Sequence, residues 1–248
     1  MRHLASVGTA LETARHRPVS PPGDIEHLPE PAQRYLSHAL GKASVLSSGV
    51  RLTMTGSVMQ GRRRLGLEAE ETLVPSRGFL WSARARMGPV VVTVTDHYVD
   101  QSSAVEVRLF GLVPLGGERG PDMAASSRGR LAAESVGAPA TLAPGPGLTW
   151  SAVDGATATA NLSIDGVEES VTLTVDEDGG LQELHMQRWG DVGVDRHQRL
   201  PYGFRVLAEA TFGGLTIPTS LEGGWWYGTE RYDAARASRF SVTSARFD

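Results

Sequence analysis

The chain has 248 residues, 40% of them hydrophobic and 21% charged, with a formal net charge of −4 and no cysteine. Such values suit a folded protein with a full core and exclude wholesale disorder. The slight acidity removes the electrostatic footprint of a nucleic-acid binder, and the absence of cysteine removes disulfides, thiolate metal sites and cysteine nucleophiles together.

Residues 1–20 predict a short helix. Its sequence, "MRHLASVGTALETARHRP", is broken by Glu12 and Arg15 and lacks the apolar core of a signal peptide. No uninterrupted apolar stretch approaches the roughly 18 residues that cross a bilayer, so the default expectation is a soluble, cytoplasmic protein without membrane insertion. "RHRPVSPPGD" then reads as a linker, because prolines at 18, 21 and 22 forbid regular structure. In "LPEPAQRYLSHALGK", Pro29 and Pro31 suit a helix entry, and Tyr35, Leu36, Ala39 and Leu40 make an apolar stripe that ends at Gly41.

From about residue 48 the period changes to two. "VVVTVTD" places Val90, Val92 and Val94 on one face and Val91, Thr93 and Thr95 on the other, and "AVEVRLF", "TATANLSI", "SVTLTVDE" and "YGFRVLAEATF" repeat the alternation. The pairs Asp154-Gly155, Asp165-Gly166, Gly179-Gly180 and Gly213-Gly214 mark tight turns that call for positive φ. Arg62, Arg63 and Arg64 follow Gly61 at a hairpin tip and read as a solvated turn. Serial hairpins make neighbouring strands antiparallel. About eleven strands are expected, a sheet that has to curl or close. A helix near 121–136 falls between the first five and the last six strands, where it can cross the concave face; Gly137 is expected to stop it before "APATLAP" turns back to the sheet. The fold class is therefore mainly β: a large curved antiparallel half-barrel wrapped around a central helix, with an N-terminal helix outside it or across one end. Residues 1–27 form the leading helix and linker and 28–248 a single half-barrel domain.

"LPEPAQRYLSHAL", "GFLWSARA", "VTDHYVDQ", "RGRLAAESVGAPATLAP" followed by "LTW", and "FGGLTIPTSLEGGWW" occur in that order. Together, over residues 28–246, they resemble a large family of uncharacterised bacterial proteins, a domain of unknown function. Many of those relatives carry transmembrane helices ahead of the soluble part, which this sequence does not show. The expected architecture also resembles the lipoprotein-carrier (LolA-like) half-barrel, whose shape is shared by lipid carriers and by a cofactor-free biosynthetic enzyme of the violacein pathway. That second resemblance is one of topology, and fold does not imply function.

Among residues able to carry chemistry, Glu134 has two readings. It is an i,i+4 partner of Arg130 on a solvated helix face, or it points into the concavity beside Arg128 or a sheet arginine, where burial raises a carboxyl into the general acid–base range. A buried structural ion pair is a third. Arg84 and Arg86 share a strand face opposite Trp81; they either line the concavity and hold an anion in a forked grip, or lie on the outer face. Asp96, His97 and Tyr98 cluster near a strand end and read as a turn cluster. Asp96 and Tyr98 share a face, so Asp96 is the second candidate catalytic acid. Tyr202 and the five tryptophans lie in strand candidates, and of the consecutive Trp225 and Trp226 one faces in and one out. The candidate ligand-binding set is Trp81, Arg84, Arg86, Tyr98, Arg128, Tyr202 and Trp226. The seven histidines lack metal spacing, and neither a nucleophile elbow, a Walker loop nor a dinucleotide fingerprint is present, so no metal and no cofactor is expected.

The leading functional reading is binding of an apolar or amphipathic small organic molecule in the concave cavity. Its alternatives are a cofactor-independent isomerase or cyclase using an acid and an arginine of that cavity, and a structural interaction module with a filled interior. A carrier calls for a cavity free of buried ionisable groups. An enzyme calls for Glu134, Arg84 or Asp96 in its wall, and a structural module for no cavity at all.

Overall fold

In a computed structural model describing residues 2–15, 25–41, 43 and 46–247, helix α1 (Arg2–Arg15) and helix α2 (Glu30–Leu40) precede six strands. These are β1 (Val50–Gln60), β2 (Arg63–Val74), β3 (Gly78–Met87), β4 (Val90–Val99), β5 (Ser102–Leu109) and β6 (Val113–Arg119). Helix α3 (Pro121–Glu134) follows, and then seven more strands: β7 (Leu148–Ala152), β8 (Thr157–Ile164), β9 (Val167–Val175), β10 (Leu181–Gly190), β11 (Gln198–Phe212), β12 (Leu215–Trp225) and β13 (Ser238–Arg246). The linker expected at 15–24 lies, apart from Arg15, outside the described residues.

All thirteen strands form one antiparallel sheet in the order β6-β5-β4-β3-β2-β1-β13-β12-β11-β10-β9-β8-β7. Two meanders meet where β1 pairs with β13, and the two sheet edges, β6 and β7, are consecutive in the chain. Laid flat, twelve inter-strand spacings of about 4.8 Å would separate those edges by about 58 Å. Helix α3, at about 1.5 Å per residue, spans only about 21 Å. Yet α3 touches β3, β4 and β5 of one meander and β8, β9 and β10 of the other, so the sheet curls around it and α3 crosses the concave side as a chord.

There are thirteen strands rather than about eleven, six before the helix and seven after. The least legible is β6, "VPLGGER", which is exposed throughout and has no apolar alternation to announce it. The turns also divide in mechanism. Asp165-Gly166 and Gly213-Gly214 adopt positive φ at both positions, as hairpins of this kind require. In the other two an aspartate side chain does the work: Asp154 accepts the Ala156 N–H at 2.8 Å, and Asp176 accepts those of Asp178 at 3.0 Å and Gly180 at 2.8 Å. Arg64 is not free in solvent but donates to the Ala235 and Ala237 carbonyls. Gly137 keeps a φ outside the left-handed region. Helix α3 ends instead by tightening into a 3-10 turn over Ser135–Gly137, followed at once by Pro139.

Alternation assigns the faces. On β2 and β3, Leu67, Ala69 and Leu73 and Phe79 and Ala83 are buried on the concave side, whereas Glu68, Glu70, Ser82, Arg84 and Arg86 are exposed. Helix α1 packs on the outer side through Val7, Leu11 and Ala14 against Val74, Leu80 and Val99. Helix α2 lies across one end: the Arg34 guanidinium bonds the Gly155 carbonyl, and Gly179, at φ +87°, passes too close to the Arg34 carbonyl to carry a side chain. The main core sits between α3, α2 and the concave face, with Leu131 of α3 wholly buried at its centre.

Leu131→Ala is expected to cost about 2–5 kcal/mol of stability in a urea titration, the usual price of a cavity at a fully packed site. Leu207→Ala, on the exposed outer face, should stay within about 0.5 kcal/mol of wild type. Equal effects at the two positions would remove α3 from the centre of the core.

Candidate functional site

Helix α3 carries an unusual load of polar residues for a helix buried inside a sheet, and each reaches a different strand. The Ser127 hydroxyl meets that of Ser103 on β5 at 2.7 Å. Arg128 donates to Glu169 on β9 at 3.1 Å, and the same carboxylate takes Arg199 at 2.5 Å. Arg188 of β10 donates to the carbonyl and hydroxyl of Ser126 at 3.0 and 3.2 Å. Gly129 makes that approach possible, since a Cβ there would lie 3.0 Å from Arg188 Cγ.

Arg130 holds the densest arrangement. Its guanidinium reaches Asp96 at 2.7 Å, Glu134 at 2.7 Å and Glu71 at 3.0 Å, and its flat face lies 4.4 Å from the Phe79 ring centre and 5.3 Å from that of Trp81. Register explains the convergence. Glu71 pairs with Trp81 and Trp81 with Asp96, so the three side chains form one row across β2, β3 and β4 on the concave face. The helix drops Arg130 onto that row, with Glu134 one turn further along.

This cluster forms one wall of a cavity of about 290 Å³, near the lower end of the range for small-molecule sites. The opposite walls are largely apolar: Leu52 and Met54 of β1, Leu184 of β10, Phe204 of β11, Ile217 and Leu221 of β12, and Phe240 and Val242 of β13. Between them stand Tyr202, Trp225 and Arg188, with the Arg188 guanidinium 4.6 Å from the Tyr202 ring centre and 5.0 Å from that of Trp225. A second hollow, on the outer side of β10 and β11, mixes Glu183, His185, Arg205 and Glu222 with Tyr227 and Tyr232, and no Leu, Ile or Val lines it.

Burial pushes the Glu71 carboxyl well above its ordinary value of 4.5; the neighbouring Glu134 charge adds to this, and Arg130 opposes it. For Arg130 burial works against the charge, but Glu134, Glu71 and Asp96 outweigh it and hold the guanidinium protonated far above its usual range. Glu71 and Glu134 thus flank one guanidinium, from β2 and from α3, within the same cavity wall. Burial likewise raises the Tyr202 phenol, against the pull of Arg188.

The structure gathers Asp96, Glu134, Trp81 and Tyr202 in the cavity wall. Glu134 combines two of its expected readings, paired with Arg130 and facing the cavity, but Arg128 is not its neighbour there because Glu169 holds it. Arg84 and Arg86 stand exposed on the outer face, since Phe79, Trp81 and Ala83 claim the inner one. Asp96, His97 and Tyr98 are not a turn cluster: they lie within β4, buried, with His97 on the side opposite the other two. Tyr98 is committed to Asp165 of the β8–β9 turn, to which its hydroxyl donates at 2.5 Å. Trp226, at φ +66°, turns away from the cavity; its indole N–H donates to Val192 O, and Trp225 faces inward instead. Glu71 and Arg188 did not stand out from the sequence. Each interrupts an apolar alternation, Leu67-x-Ala69-x-Glu71-x-Leu73 and Leu184-x-Met186-x-Arg188, and that interruption was the local signal. Among the described residues no group of three or more side chains is placed to hold a metal ion, and no helix is long and apolar enough to cross a membrane.

A family model described as a family of unknown function (DUF6544) matches residues 17–237. A search of curated proteins finds no match. Similar solved structures include a domain described as an outer membrane lipoprotein-sorting protein from Vibrio parahaemolyticus, with 8% identity over 90% of this chain and 93% of that one and a TM-score of 0.42. A LolA superfamily protein from Nitrosomonas europaea is 7% identical over 87% and 91%, with a TM-score of 0.43. A DUF1329 family protein from Desulfovibrio piger is 11% identical over 89% and 93%, with a TM-score of 0.42.

A carboxyl whose pKa is raised on folding stabilises the fold below its unfolded value, and that contribution is lost as pH rises through the folded value. Wild type should therefore lose stability relative to Glu71→Gln as urea titrations move from about pH 5 to about pH 9. A difference that stays constant across that range would mean that Glu71 is ionised throughout.

Proposed function

Because the chain belongs to the DUF6544 family, whose description carries no activity, its own cavity has to supply the functional reading, and we propose that it binds a small amphipathic organic molecule there. The observation that carries this reading is a cavity with extended apolar walls and its polar groups gathered on the α3 side. Apolar walls give affinity by removing hydrocarbon from water, and a few convergent polar groups fix orientation. A carrier of purely apolar cargo fits less well, since Glu71, Asp96, Glu134, Arg130 and Arg188 all line the space. An interior filled by its own side chains would leave no such volume.

Trp81 and Trp225 both line the cavity, so occupancy is readable from intrinsic fluorescence. Titration with a neutral apolar probe should change that emission saturably. Val242→Trp, which projects bulk into the space from β13, should weaken binding by about tenfold or more while leaving the folded state intact. Unchanged affinity in that variant would put the probe elsewhere.

A second reading is favoured by the Glu71–Glu134 pair: a cofactor-independent isomerase or cyclase in which Glu71, whose carboxyl burial raises, gives a proton to the bound molecule and Glu134 removes one from it. Native mass spectrometry of freshly purified protein identifies any retained ligand. Incubated with the protein in deuterated water, that ligand should gain deuterium on carbon with wild type and not with Glu134→Gln. Equal incorporation in both would leave Glu134 without a catalytic role.

A further inference from the structure

The two guanidinium groups in the cavity wall are in opposite electrostatic situations. Arg130 is enclosed by three acidic side chains, Glu71, Asp96 and Glu134. Arg188 is only 8% exposed, yet among the described residues no carboxylate lies within ion-pair distance of it. Its hydrogen bonds to Ser126 go to a carbonyl and a hydroxyl, and its remaining neighbours in the cavity are the Tyr202 and Trp225 rings. A buried charge without a counter-charge is costly, because neither dipoles nor aromatic faces replace the lost hydration of a full positive charge. The site is nevertheless well built: Gly129 receives the aliphatic stem, the Ser126 bonds fix the plane, and the rings flank the head.

From this we propose that Arg188 anchors the carboxylate of an apolar acid, a molecule with one anionic head and a hydrocarbon body that lies along Leu184, Phe204, Ile217 and Val242. The proposal rests on the cavity-binding reading above and names the class of molecule bound. The guanidinium fork matches a carboxylate in shape and charge, and fixing its orientation in advance lowers the entropy lost on binding. A single uncompensated positive charge favours a carboxylate over a doubly charged phosphate ester. The other guanidinium of the cavity is already surrounded by acids that would repel a second negative charge. The same acids set the direction of binding, with the head at Arg188 and no anion tolerated beside Arg130.

The test compares laurate with dodecanol, which share a chain and differ in the head, by displacement of a neutral fluorescent probe at about pH 8, where the acid is ionised. Wild type is expected to bind laurate at least about tenfold more tightly than dodecanol. Arg188→Met keeps the stem against Gly129 and the rings, so it should bring laurate down to the affinity of dodecanol and leave dodecanol unchanged. Arg188→Lys, which keeps the charge but not the fork, should retain part of the preference. Equal binding of the two ligands by wild type, or a preference that survives in Arg188→Met, would overturn the proposal. The wild-type pair of titrations needs no variant, so a misfolded substitution does not shield the proposal. If wild type binds neither ligand nor the probe, the cavity-binding reading itself fails, an outcome distinct from binding without preference.

Discussion

The two edges of the sheet are neighbours in the chain, and the link between them has to cross the concave face. Most of the architecture follows from that constraint. Around twelve strand spacings of arc, the link folds its fourteen-residue helix and two 3-10 turns against the concave face, and the sheet wraps around them. A helix laid inside a curled sheet cannot keep a solvated face, because strands approach it from several sides. Its polar residues are then obliged to find partners on the sheet. Ser126, Ser127, Arg128 and Arg130 do so on β10, β5, β9, β4 and β2, and the crossing becomes a set of struts between otherwise distant strands.

The struts differ in what they leave over. Ser103–Ser127 and Arg128–Glu169 are closed contacts that add register and little else. Around Arg130 there are more carboxylates than positive charges, and around Arg188 there are fewer. Such an imbalance inside one low-dielectric space is expensive to keep if its only purpose is cohesion, since a packed apolar core of the same volume is usually no less stable. The raised Glu71 carboxyl is the response to the first excess. The second is the charge that the proposed carboxylate would meet.

Much of this was legible in the sequence because alternation and turn chemistry are local. The hairpins, the apolar stripe of α2 and the crossing helix all announce themselves within windows of about ten residues. Of the cavity, Asp96, Glu134, Trp81 and Tyr202 could be named in advance. What alternation cannot give is the sign of a face. It places Arg84 opposite Trp81, and Trp225 opposite Trp226, without saying which side becomes concave; that is settled only when α3 and α1 choose opposite sides of the sheet. Arg84 and Arg86 fell on the outer side for this reason. Glu71 and Arg188 needed the reverse inference, that one charged residue in an otherwise apolar row belongs to the interior. Arg128 and Tyr98 were lost to partners, Glu169 and Asp165, that lie far away in sequence.

The pairing of β1 with β13 gives the cavity an order of assembly. Phe240 and Val242 stand in its wall, and β13 is the last strand to be synthesised, after every other lining element. Without β13 no strand pairing joins the two meanders, and the wall it supplies is missing. The space between them acquires its volume and its shielded charges only when β13 seats between β12 and β1.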